Sequence, residues 1–147
     1  MSFEMLYPDA DAPAGSNDAS CVLKVSGAGG SALLTGDIMR QSDRRLLELG
    51  APALKTDLLV APHHGSNSSS IPAFVAAVAP MEALFPVGYR NRWGFPKPEV
   101  VARYSAAGAA LADSVNDGAV RMAFRPGVRP VVVMRWRLDS AWFWTAR

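Results

Sequence analysis

Two strand ends carry the residues best suited to chemistry. One is Thr35-Gly36-Asp37, after the apolar Ala32-Leu33-Leu34. The other is Pro62-His63-His64-Gly65-Ser66, after Leu58-Leu59-Val60-Ala61. Pro62 has no N–H to give a ladder, so it ends its strand there. Open α/β sheets place ligands at the carboxyl ends of their strands. A carboxylate and an imidazole at neighbouring strand ends are both metal donors. A carboxylate can also bridge two cations, the common hydrolytic device. Gly36 permits tight backbone beside Asp37. The same residues also read as a polar surface loop with two solvated histidines, and Asp37 as a cap before Ile38. Both readings stay open at this level.

These residues need a sheet beneath them, and the chain supplies one. Period-two or short apolar runs predict strands over 3–7, 21–25, 32–34, 57–61, 83–87, 109–112, 119–124 and 131–138. A Gly-rich turn at 26–30 predicts a hairpin between the second and third. Residues 8–18, rich in Asp, Ala, Gly, Pro and Ser, read as a loop. Ser42-Asp43 reads as an N-cap before a helix with Leu46, Leu47 and Leu49 on its apolar side and Gly50 at C′. Pro72 opens a second helix that faces Phe74, Val75 and Val78 inward. Pro98-Glu99 opens a third, which stops near Gly108. Strands alternating with helices predict an α/β fold of mixed sheets, as one domain.

Composition agrees. Half of the 147 residues are hydrophobic, enough for one core. A net charge of +2 and a pI near 9.0 are compatible with a polyanionic partner without identifying one. The lone Cys21 excludes an internal disulfide framework, and its apolar surroundings predict a buried thiol. There is no run of roughly eighteen apolar residues and no signal-peptide pattern. The tail Trp142-Phe143-Trp144 is expected to pack rather than to form a site. Between the third helix and the strand before it, Tyr89, Arg90, Asn91, Arg92, Trp93 and Lys97 form a basic, aromatic loop. Arg90, Arg92 and Lys97 could contact phosphates, or simply be a solvated basic surface.

Four segments together resemble a known family: Asn17-Asp18-Ala19-Ser20-Cys21-Val22-Leu23, Leu33-Leu34-Thr35-Gly36-Asp37-Ile38, Asp57 through Ser66, and Val87-Gly88-Tyr89-Arg90-Asn91-Arg92-Trp93-Gly94. They are similar to the C-terminal domain of the ComEC family of competence proteins. The resemblance runs from about Phe3 to Val120. It implies the second half of a metallo-β-lactamase-like αββα sandwich. It also implies a soluble part of an inner, cytoplasmic-membrane DNA-uptake protein and nuclease action on DNA during transformation. In that frame Asp37 matches the bridging metal ligand, and the histidine pair matches the last one, with His63 and His64 both candidates. Asp37 and His64 would be the catalytic residues. Tyr89, Asn91 and Arg92 match a segment lining the same edge, so the DNA-binding candidates become Tyr89, Arg90, Asn91, Arg92 and Lys97.

The departures bear on activity. The superfamily's first metal motif, His-x-His-x-Asp-His, is absent and is expected upstream of Met1. The family's His-Pro after this loop is Phe95-Pro96 here, and Asp43 stands where Glu is frequent. A dinuclear site needs about five protein ligands. Zn²⁺ or Mn²⁺ would therefore be held as a pair only if the upstream half is supplied. The fragment alone is expected to be inactive. The remainder of the membrane protein and single- or double-stranded DNA are the implied partners. A sheet face lacking its partner layer implies either homo-oligomerisation or poor behaviour in isolation. A non-catalytic DNA- or partner-binding module with a degenerate fold is the alternative, and hydrolysis of another phosphoester is a third reading.

Overall fold

The computed structural model describes residues 1–9, 12 and 15–140. Part of the 8–18 loop and the Trp142-Phe143-Trp144 run lie outside the described residues. The elements, in order, are β1 (Ser2–Tyr7), β2 (Val22–Gly27), β3 (Gly30–Leu34), α1 (Arg40–Glu48), α2 (Ala51–Leu54), β4 (Leu58–Val60), α3 (Pro72–Val78), β5 (Glu82–Phe85), α4 (Pro98–Ala106), β6 (Ala110–Asp113), β7 (Val120–Ala123), β8 (Val131–Arg135) and α5 (Trp136–Asp139). Strands β1 to β6 form one sheet in chain order, and β7–β8 form a separate antiparallel ribbon. The pairs β1–β2 and β2–β3 are antiparallel, and β3 through β6 run parallel. The fold is thus mixed α/β, as the alternation of strands and helices predicts.

Register decides the two faces. Lys24, Leu33, Leu59, Ala83 and Leu111 form one row across the sheet. Leu33, Leu59 and Ala83 in that row are completely buried, in one core with Leu46, Leu54, Phe74, Val78, Val100 and Tyr104 from α1 to α4. Removing these side chains from water is the main favourable term holding helices to sheet. The opposite face carries two rows: Phe3, Val25, Ala32, Leu58 and Glu82, and then Met5, Leu23, Leu34, Val60 and Leu84. Phe3, Met5 and Leu34 remain 68, 57 and 41% exposed there. The ribbon reaches this face at its β5–β6 end. Arg135 there bonds Glu82 and Asp117, each at 3.1 Å, and the carbonyl of Leu111.

Four sequence expectations are corrected. Ser42-Asp43 is not the start of α1: the helix begins at Arg40, and both side chains are fully buried. Asp18 takes the capping role from outside the helix, accepting the Met39 N–H at 2.8 Å and the Ser42 N–H at 3.2 Å. Leu49 is half-exposed, because α1 has ended by that point. Cys21 is exposed, since β2 begins at Val22 and it is Val22 that turns into the core. The last strand stops at Arg135, whose N–H binds the Asp139 carboxylate at 2.7 Å and turns the chain into α5.

Candidate metal centre and nucleic-acid interface

The parallel strands point their carboxyl ends to one edge, and three connections meet there. Thr35 donates its hydroxyl to the Val60 carbonyl at 2.7 Å, tying the end of β3 to β4. The His63 N–H bonds the Gly36 carbonyl at 3.0 Å, and the Lys97 N–H bonds the Gly65 carbonyl at 2.9 Å. Asp37 is fixed from a fourth direction, its N–H donating to Ser20 Oγ at 3.2 Å. The loops after β3, β4 and β5 are therefore one hydrogen-bonded unit.

The turn Pro62–Gly65 places His63 and His64 successively at φ 47° and 56°, the left-handed region. Side chains with a Cβ adopt it at a cost of about 1–2 kcal/mol each. Strain of this kind concentrates at functional sites. Gly65 follows at φ +80°, where a Cβ would lie 2.7 Å from Pro96 and 2.8 Å from the Phe85 ring, so the turn is wedged against β5 and the following loop.

The two histidines end in different surroundings. His64 Nδ1 lies 2.7 Å from the Pro86 carbonyl. A carbonyl only accepts, so Nδ1 carries the proton. The other ring nitrogen, Nε2, faces Asp37 Oδ1 at 3.3 Å, with both side chains 44% exposed. An imidazole lone pair facing a carboxylate is stable only with positive charge between them, either a second ring proton or a cation. A ring oriented through Nδ1–H to a backbone carbonyl is the usual arrangement of a metal-binding histidine. His63 is spent differently. Its Nδ1 pairs with Ser68 Oγ at 3.0 Å, its Nε2 lies 3.4 Å from Asn17 Nδ2, and its ring meets Phe95 edge-on.

For a divalent metal, Asp37 and His64 fit as adjacent donors but make only a partial site. Among the described residues no group of three or more His, Cys, Asp and Glu side chains could share an ion. Three protein ligands are usual for a catalytic zinc.

The basic loop is built around Asn91. Its side-chain amide donates to the Gly88 and Phe95 carbonyls at 3.2 and 2.8 Å, and its oxygen accepts the Phe95 N–H at 2.8 Å. Lys97 Nζ donates to the Trp93 carbonyl at 2.6 Å. Both side chains brace the loop. Tyr89 and Trp93 stay exposed, with Arg90 over the Tyr89 ring at 5.2 Å and Arg92 over the Trp93 ring at 4.4 Å. Trp93 stacks on Phe95, centroids 6.3 Å apart and planes at 11°. The histidines, Asp37 and this loop therefore share one edge. Sequence reasoning singled out no role for Ser20, Ser68 or the Pro86 carbonyl, because single serines and backbone oxygens carry no signal until the fold brings them to a partner.

A mixed α/β module with a carboxylate, an imidazole and a basic aromatic loop at its parallel edge is the class that the structure defines. No protein-family profile matches the chain. Individual relatives do, and they support a competence-related family. The chain is 35% identical over 130 residues, 88% of its length, to Competence protein ComA of Neisseria gonorrhoeae, of which it covers 19%. It is 33% identical over 101 residues, 69% of its length, to ComE operon protein 3 of Bacillus subtilis, covering 13% of that protein. It is 31% identical over 125 residues, 84% of its length, to Recombination protein 2 of Haemophilus influenzae, covering 15%. The chain thus spans less than a fifth of the length of these curated relatives. No helix among the described residues is long and apolar enough to cross a membrane.

Proposed function

We propose that the chain is part of a DNA-uptake protein of transformation, a membrane protein by resemblance. In this reading it forms the second half of a metallo-β-lactamase-like module whose metal-dependent phosphodiesterase site acts on DNA. One observation carries the reading: the oriented His64 ring, with Nε2 set against Asp37 at 3.3 Å. Asp37 and His64 are the metal donors this chain contributes, and His63 braces the turn. The remaining donors come from another segment of the protein, so the chain by itself is inactive. A bound Zn²⁺ or Mn²⁺ would supply Lewis-acid polarisation of a phosphodiester. Arg90 and Arg92 contact backbone phosphates, independently of sequence and with strong salt dependence.

The test is metal content after equilibrium dialysis against Zn²⁺ or Mn²⁺, by elemental analysis, beside DNA cleavage by the full-length protein. Asp37→Ala and His64→Ala are expected to lose bound metal and cleavage, while His63→Ala keeps metal. Equal metal retention in all three variants would refute the donor assignment. A second reading, a non-catalytic DNA- or partner-binding module, draws support from the two-donor set. It predicts that the full-length protein binds DNA and leaves it uncut.

A further inference from the structure

Beside the metal donors lies an open pocket of about 230 Å³, lined by His64, Pro86, Val87, Asn91, Trp93 and Phe95, with the Gly88 backbone. It is smaller than the ~300–1,000 Å³ of drug-sized ligand sites, so it suits one flat ring system. Its wall is aromatic and rigid. Trp93 stacks on Phe95, and the Asn91 amide grips the backbone of Phe95 from both sides. The Arg92 guanidinium lies over the Trp93 ring, 4.4 Å from its centre, and a base that stacks on that face takes its place. An aromatic wall beside basic side chains is the chemistry that holds unpaired nucleobases.

We propose that this pocket is a base-binding subsite for single-stranded nucleic acid, with Trp93 as its stacking residue and Phe95 behind it. The inference rests on the reading of the edge as one that acts on DNA, and it adds the form of DNA selected. Bases in a duplex are stacked on one another, and their faces are closed to a protein ring. An unpaired base can enter. Since His64 belongs both to the pocket and to the Asp37 pair, a base seated here leaves its own phosphate beside the candidate metal donors. The subsite thereby selects which phosphodiester is presented, while Arg90 and Arg92 hold the strand through charge alone.

Fluorescence anisotropy with labelled oligothymidylate, an abasic strand of equal length and a duplex tests this on the 147-residue chain. The expected order of affinity is oligothymidylate above both others. Trp93→Ala should weaken oligothymidylate about fivefold to a hundredfold, the range for one stacked base, and leave the abasic strand unchanged. Trp93→Phe should restore most of the loss. The exposed Trp93 side chain is dispensable to the loop's hydrogen bonds, and circular dichroism of both variants confirms that they fold. If Trp93→Ala weakens both strands equally, or neither, the subsite is refuted and the DNA reading stands on charge. If neither strand binds the parent chain, the DNA reading falls and the subsite with it.

Discussion

Asp43 and Asp18 sit under the site rather than in it, and both are buried carboxylates. Asp18 spends one oxygen, Oδ1, on the start of α1, including the Ser42 hydroxyl at 2.6 Å. Asp43 accepts the Ile71 N–H at 2.9 Å, but its second oxygen has no partner. Burial pushes its carboxyl up to about 7, opposed by the Ile71 and Ser70 N–H groups and by Arg103, and reinforced by Asp18. The folded protein therefore keeps a proton that the unfolded chain gives up near pH 4. Native protein binds more protons through that window, so stability falls as pH rises from about 4 to 7 and levels off above. The slope is at most about 1.4 kcal/mol per pH unit. Urea midpoints measured from pH 5 to 8 should fall for the parent and much less for Asp43→Asn. A residual slope of the same sign comes from Glu82, also raised by burial against the opposing Arg135. An equal slope in both proteins would refute this.

At the scale of elements, Arg135 ties the β7–β8 ribbon to β5 and β6, while Phe124, Arg125 and Pro130 pack against the β2–β3 turn at Gly29 and Gly30. Its guanidinium neutralises Glu82 and Asp117, whose side chains are only 8 and 7% exposed. Arg135→Met would leave two buried carboxylates without a counter-charge, at a cost of about 3 kcal/mol. For a chain of this size that lowers the thermal midpoint by roughly 10 °C, readable by calorimetry. A shift within a degree or two would mean that the ribbon is held by other contacts. The strands and the helices α3 and α4 were legible in the sequence because apolar spacing and helix-opening prolines are local signals. The start of α1 was not, because its cap, Asp18, lies in a different loop. The end of β8 was hidden for a similar reason, residing in one hydrogen bond from Arg135 to Asp139. Asp37 and the pair His63 and His64 could be picked out as candidate strand-end donors. Our proposal of His64 rather than His63 rests on the Pro86 carbonyl, which no residue type announces.

Across the whole molecule, among the described residues, helices coat one sheet face, while the β7–β8 ribbon covers the other only in part. Phe3, Met5 and Leu34 stand exposed on that second face, the first two on the edge strand β1. Such a face associates with whatever apolar surface it meets, and an edge strand adds unpaired backbone groups. The isolated chain is accordingly expected to pair with a second copy, its mass by light scattering rising with concentration. Phe3→Lys combined with Met5→Lys should hold it monomeric. A parent that stays monomeric at high concentration would overturn this expectation.

The left-handed pair at His63 and His64 bears on how freely this sequence can drift. Glycine enters that backbone region without penalty, and asparagine more easily than most residues. Valine, isoleucine or threonine there would be genuine outliers. The turn is therefore more permissive to residues that abolish the imidazoles than to most that would preserve bulk. Loss of the imidazole at residue 64 needs no damage to the sheet, and a relative could shed it while keeping its fold.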